Sequence, residues 1–188
     1  IFLAGLPDSV PALTINRFCS SGLQSIAQGA SAILAGWQDA VVAGGVESMS
    51  VVPMGGQKPA PNPELMAEHP EAYMPMGVTA ELVADRFGIS RADQDAFALQ
   101  SHQRAVAAIE AGRFREEILP VPTRVFLDAW KDVVISVDEG PRADTTLEAL
   151  SRLKPVFKAG GSVTAGNSSQ VSDGAAAAVI ADRAWAAA

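Results

Sequence analysis

The sequence predicts an α/β fold in which a sheet-based core carrying helices is split by a long mixed insertion. Three patterns lead there. Leu23, Ile26, Ala27, Ala30, Ile33 and Leu34 recur at a helical period. β-rich runs lie on either side of them, Pro11 to Ile15 and Ala40 to Ala43, the second closed by Gly44-Gly45. From Pro53 the composition shifts towards Pro, Gly, Met and Asn, and a comparable apolar run returns only at Ala175 to Ile180.

Each element has its own warrant. The strand at 11–15, the helix ending at Gly36 and the strand at 40–43 form a βαβ unit, which implies parallel neighbouring strands. The Pro-rich stretch from Pro53 to Pro75 reads as loop, since proline removes a donor and blocks a helix interior. Thr79 to Leu82 begins a short helix that Gly88 stops. Ser90-Arg91-Ala92-Asp93 has the form of a capping box and opens a helix to about Gly112, with Ala92, Ala96, Leu99, Val106 and Ile109 facing its core. Extended pieces follow at Ile118 to Val121 and Val133 to Val137, then a short helix capped near Thr145-Thr146 and ended by Pro155. The last run, Ala175 to Ile180, reads as a buried strand. The core is thus expected from residues 1–50 and 158–188, with the insertion at 51–157.

Composition bounds what such a chain does. Its 188 residues are 48% hydrophobic and 19% charged, enough apolar material for a packed core. The single cysteine, Cys19, excludes an intramolecular disulfide and a thiolate metal cage. Fourteen basic against 21 acidic residues give a net charge of −7, and no Lys/Arg run stands out, so a nucleic-acid partner is not expected. Nor is a membrane span, because no stretch approaches the roughly 18 apolar residues required. The expected location is cytoplasmic. The chain opens at Ile1 inside an apolar segment, so the natural N-terminus and any targeting signal are expected upstream.

Two stretches could carry chemistry. Cys19 lies between a strand and the first turn of a helix, in Asn16-Arg17-Phe18-Cys19-Ser20-Ser21-Gly22. There the positive end of the helix dipole and free backbone N–H groups favour a thiolate, and the same donors suit the oxyanion of a tetrahedral intermediate. Gly22 lets another backbone approach. A small buried cysteine is the competing reading. The second stretch, Thr164 to Ala177, is rich in small residues and offers Asn167, Ser168, Ser169 and Asp173 for hydrogen bonding, although a polar turn would look the same. A C-x5-R phosphatase loop fails at Ser25, a G-x-S-x-G elbow fails at Gln170, and no dinucleotide or P-loop motif is present. His69 and His102 lack a ligand partner or an orienting group nearby in sequence, so a metal site is not expected.

These stretches resemble the thiolase family. Asn16 to Gln24 resembles its nucleophile motif, and Ala43-Gly44-Gly45-Val46-Glu47-Ser48-Met49-Ser50 the strand and turn that follow. Met76 to Glu81 and Asp138 to Arg142 resemble blocks of its loop domain, and Gly166 to Ala177 its second glycine-rich signature. Several blocks in the right order are far more specific than one motif. The resemblance implies a layered αβα core, part of an αβαβα fold, with 51–157 as the loop domain and the C-terminal thiolase domain absent from these residues. It implies ping-pong acyl transfer through Cys19, with 3-ketoacyl-CoA thioesters and CoA as substrates, no permanently bound cofactor, and a homodimer or homotetramer. Fatty-acid β-oxidation is the implied setting. By resemblance Met76, Arg142, Phe157, Ala165 and Ser169 line the CoA groove, with Arg142 near the nucleotide and Ser169 near the pantetheine amide. Pro75 stands where biosynthetic members tend to have His, which leans towards degradation and broader chain length. The family's Gly-His-Pro, Cys-x-Gly and Asn-Glu blocks are absent, so the acid/base groups are expected outside these residues. A CoA-binding or interaction module without turnover is the alternative.

Overall fold

The computed structural model describes residues 1–187. In chain order its regular elements are α1 (Ser21–Leu34), β1 (Ala40–Ser48), α2 (Pro63–Glu68), α3 (Met76–Phe87), α4 (Arg91–Glu110), β2 (Val121–Phe126), β3 (Trp130–Ile135), α5 (Leu147–Ser151), β4 (Asp173–Ala181) and α6 (Arg183–Ala186). They fall into two compact units, Ile1–Pro59 with Val171–Ala188, and Ala60–Gln170. The mixture of helices and strands is the α/β class expected.

In the first unit β1 and β4 pair antiparallel from Ala40↔Ala181 to Ser48↔Asp173. This corrects the expectation of a parallel βαβ crossover. The segment 11–15 forms no strand, because a strand requires a ladder partner and it has none among the described residues. The glycine pair does not end β1 either. A Cβ on Gly44 would overlap the Ala176 carbonyl oxygen of β4, and one on Gly45 would lie 3.3 Å from the Gly22 Cα of α1. The glycines therefore sit inside the strand, where two backbones press on it. Helix α1 lies across one face of the ribbon. A Cβ on Gly29 would meet Val41 Cγ1 at 3.1 Å and Ile180 Cδ1 at 3.7 Å, and Ala43 on that face is buried. Val42, Val46 and Val179 alternate to the other face and are exposed, so β4 is not the buried strand that its composition suggested.

The second unit holds the remaining helices and the β2–β3 hairpin, which pairs Val121↔Ile135 through Phe126↔Trp130. The strands lie a few residues from where the sequence places them. Within the Pro-rich stretch α2 forms after all: Asn62 caps it by accepting from the Glu64 and Leu65 amides, and Pro63 takes the first turn, where its missing N–H costs nothing. Helix α3 starts at Met76, earlier than expected, and ends at Gly88 in the left-handed conformation. Ser90 and Asp93 form the expected capping box on α4. Of the expected core positions Leu99, Val106 and Ile109 are partly covered, whereas Ala92 and Ala96 are exposed, and the covered face near the start of the helix is formed by Arg91, Gln94 and Asp95. Thr146 caps α5 by accepting from the Ala149 amide.

The division between the two compact units falls at 59/60 and 170/171. Residues 158–170 belong with the second unit because its helices hold them. Glu81 of α3 accepts hydrogen bonds from the Ser162 and Val163 amides, and Asp95 of α4 accepts one from the Asn167 side chain.

Candidate active site

Cys19 is exposed and stands two residues before the first helical residue of α1. The turn that carries it is built locally. The Phe18 amide donates to Asn16 Oδ1 at 2.9 Å, and the Arg17 amide donates to Ser21 Oγ at 2.8 Å. Ser21 Oγ in turn donates to the Phe18 carbonyl at 2.7 Å, and Arg17 reaches Gln24 Oε1 at 2.6 Å. Between these braces Phe18 is held at φ +49°, the one non-glycine residue with positive φ among those described. A bulky side chain in that region is strained, and strain of this kind persists only where the surroundings enforce it. The result is a thiol raised on a rigid corner.

The start of α1 is also fixed from below. Ser25 Oγ lies 2.7 Å from the Gly22 carbonyl and 2.8 Å from the Gly44 carbonyl and shares its one proton between them, tying the first turn to β1. Gly22 and Gly45 meet backbone to backbone, so the close approach expected at Gly22 is made by β1. Ser20, the N-cap, makes no side-chain cap bond, which leaves the amide end of the first turn open to another acceptor. At the far end of the ribbon Asp173 accepts from the Ser50 amide at 2.9 Å and from the Ser50 hydroxyl. These bonds hold the Asp173 carboxyl below its ordinary range.

Met76, Arg142, Phe157, Ala165 and Ser169 all lie in the second unit, and Cys19 in the first. Met76 opens α3, and the Phe157 ring covers the neighbouring Gly77, where a Cβ would overlap it. A Cβ on Gly140 would likewise overlap the Gln170 carboxamide, so the chain leading to Arg142 runs beside the chain leading from Ser169. Arg142 forms a two-point pair with Asp144, at 2.9 and 3.2 Å, which holds the Asp144 carboxyl low and the guanidinium high. Ala165 and Ser169 are exposed on a loop whose inner residues, Val163 and Thr164, are buried. Two concavities, on the β2–β3 hairpin and beside the C-terminal end of α4, include none of these six residues.

Neither histidine stands free as a base. His69 Nδ1 lies 3.2 Å from Glu71 Oε1 on the surface, and His102 Nδ1 accepts from the Arg142 amide at 3.1 Å. Sequence reasoning did not single out the bracing residues Asn16 and Ser21, or Glu81 and Asp95. For the last two a signal existed, an acidic residue on the covered face of a helix. Among the described residues no group of three His, Cys, Asp or Glu could hold a metal ion, and no helix is long and apolar enough to cross a membrane.

Comparison with known proteins follows the same lines. Residues 1–184 match the family model for the thiolase N-terminal domain. A 3-ketoacyl-CoA thiolase of Bacillus subtilis is 54% identical over 187 residues, which cover 96% of this chain and 48% of that protein. The peroxisomal 3-ketoacyl-CoA thiolase A of Mus musculus is 52% identical over 185 residues, 97% of this chain and 44% of that protein. Of solved structures, the dimeric peroxisomal thiolase of Saccharomyces cerevisiae matches with a TM-score of 0.82 at 41% identity, over 99% of this chain and 47% of that one. Human mitochondrial 3-ketoacyl-CoA thiolase matches with a TM-score of 0.77 at 40% identity, over 97% and 49%. The chain thus spans about half the length of the relatives it matches.

Proposed function

Since the chain belongs to the thiolase family, we propose that it carries the nucleophile and the acyl-CoA-binding loops of an acyltransferase that cleaves 3-ketoacyl-CoA. The observation that carries this reading is the braced, positive-φ corner that lifts an exposed Cys19 at the open amide end of α1. The Cys19 thiolate attacks the C3 keto carbon of the substrate. The C2–C3 bond breaks, its electron pair passes to C2 and is protonated there, and acetyl-CoA leaves. A CoA thiolate then attacks the acyl carbon, Cys19 departs as thiolate, and the shortened acyl-CoA is released. Run backwards, the same steps condense two thioesters.

Cys19 requires a partner to take and return protons. His69 and His102 are engaged with other groups, Glu71 and the Arg142 amide. The proposal therefore assigns acid and base to groups beyond these residues. Met76, Arg142, Phe157, Ala165 and Ser169 are proposed to hold CoA, which acts as co-substrate with no resident cofactor. The exposure of all five and the adjacency of the Arg142 and Ser169 segments support that assignment. Pro75 and the names of the relatives favour degradative chain shortening in β-oxidation. Assembly into a homodimer or homotetramer belongs to the same reading, supported by the dimeric yeast structure. So does a cytoplasmic location, which the bacterial relative supports, while the mouse relative is named peroxisomal.

The test uses the full-length protein, acetoacetyl-CoA and a longer 3-ketoacyl-CoA. Turnover with either is expected, together with an acyl group on the Cys19 peptide after quenching, and Cys19→Ser should lose both. Acylation elsewhere, or turnover surviving in Cys19→Ser, would overturn the assignment.

A further inference from the structure

We propose that Glu81 is a positioning residue for acyl-CoA binding: from inside α3 it holds the backbone of Ser162 and Val163 and thereby sets the loop 161–170. The inference rests on the reading of Ala165 and Ser169 as groups that face the pantetheine arm.

Glu81 is only 2% exposed, and an ionised carboxylate so deep costs several kcal/mol unless its oxygens are satisfied. Here they are. The Ser162 amide lies 2.9 Å from both oxygens, the Val163 amide donates to Oε1 at 2.8 Å, and the Ser162 hydroxyl donates to Oε2 at 3.1 Å. Burial alone would push its pKa up, but the bonds from Val163 and Ser162, with the charge of Lys158, carry it below the ordinary value. The loop is shaped to admit the carboxylate, because a Cβ on Gly161 would overlap it. An apolar side chain could fill the same volume without that desolvation cost. A carboxylate accepts from two consecutive amides, which fixes a backbone and not merely a volume.

The rest of the loop is clamped from α4. Asn167 donates to Asp95 Oδ1 and to the Ser162 carbonyl, both at 3.0 Å, and accepts from the Thr164 amide at 2.7 Å. Asp95 is held by Arg91 Nε at 2.8 Å, and Gln94 donates to Ser162 Oγ at 2.9 Å. Ser168 Oγ closes the turn on the Thr164 carbonyl at 2.6 Å. Glu81, Asp95, Ser162, Thr164 and Asn167 are buried or partly buried in this network, and Ala165 and Ser169 lie outward on the same loop, with Ser168 and Gln170 beside them. Neither Glu81 nor Gly161 is among the residues assigned to touch substrate. Their effect on catalysis passes through the loop.

The experiment compares Glu81→Gln, Gly161→Ala and Ser169→Trp in the full-length protein. Glu81→Gln removes one acceptor oxygen, whereas Gly161→Ala leaves Glu81 intact and disturbs the contact from the loop side. Each should raise KM for CoA by about fivefold to tenfold, the effect of losing one hydrogen bond. Turnover per titratable Cys19 should stay within about twofold, and amide exchange should quicken in 161–170 only. Ser169→Trp, which blocks the loop surface directly, should raise KM at least as much. A Glu81→Gln or Gly161→Ala enzyme with lower melting temperature and turnover but unchanged KM and loop exchange would overturn the proposal, leaving Glu81 a stabilising group. If Ser169→Trp alone raises KM, positioning fails and the groove reading stands. If Ser169→Trp leaves KM unchanged, the groove reading fails and takes the proposal with it.

Discussion

Replacing Phe18 by glycine should leave the protein as stable as before or slightly more so, although an aromatic side chain is deleted. Phe18 is 85% exposed, so its removal forfeits little burial. Its φ of +49° costs an L-residue about 1–2 kcal/mol, which glycine does not pay. Against that stands glycine's greater freedom in the unfolded chain, about 0.5–1 kcal/mol. The net change lies between about zero and 1.5 kcal/mol in favour of Phe18→Gly. Phe18→Ala is the informative control, because alanine keeps the strain while losing the same ring. Glycine should therefore exceed alanine by about 1 kcal/mol, the reverse of their order in a helix interior. Urea unfolding of the two full-length variants, compared at equal slope, measures the difference. The rate at which iodoacetamide alkylates Cys19 reports the functional side, and it should fall in Phe18→Gly as the corner loosens. An alanine variant more stable than the glycine variant would show that the corner is unstrained and that the argument from Phe18 to Cys19 is wrong.

Gly44→Ala should lower the melting temperature and the soluble yield, since its Cβ meets rigid backbone at Ala176 and overpacking of this kind costs about 1–3 kcal/mol or more. A melting curve like the parent's would contradict that. His102→Ala removes the acceptor of the Arg142 amide and should raise KM for CoA by about fivefold through a looser 140–144 segment, read from initial rates. An unchanged KM would detach Arg142 from CoA or His102 from Arg142. The depressed Glu81 pKa gives an acid limb: its stabilisation is complete above the ordinary carboxylate value of 4.5 and is lost as pH falls through the lower native value. Melting temperatures measured downward from pH 5 should therefore drop less steeply in Glu81→Gln than in the parent, and parallel slopes would refute this.

Local chemistry was readable from the chain and remote pairing was not. The capping box at Ser90, the stop at Gly88 and the placement of Cys19 just before α1 depend on neighbours within a few residues, and the structure has all three. The partner of β1 lies more than a hundred residues away, so strand-like composition alone could not tell parallel from antiparallel, and 11–15 had the composition without the partner. Proline content hid α2 because proline is hostile inside a helix but welcome at its first turn. Apolar periodicity found Leu99, Val106 and Ile109 on the inward face of α4 but missed its first turns, where that face carries Arg91, Gln94 and Asp95, whose burial is compensated by hydrogen bonds. The location of the cysteine was evident, but the strained Phe18 and its braces emerged only from the backbone.

The five residues proposed to grip the substrate lie in one continuous span joined to the remainder at two peptide junctions, 59/60 and 170/171. A chimera is therefore simple to specify: the span from one relative, grafted at those two points, would import a foreign grip while leaving the reactive corner untouched. Affinity for CoA and chemical competence would then be separately inheritable, and lineages could diversify the first without rebuilding the second.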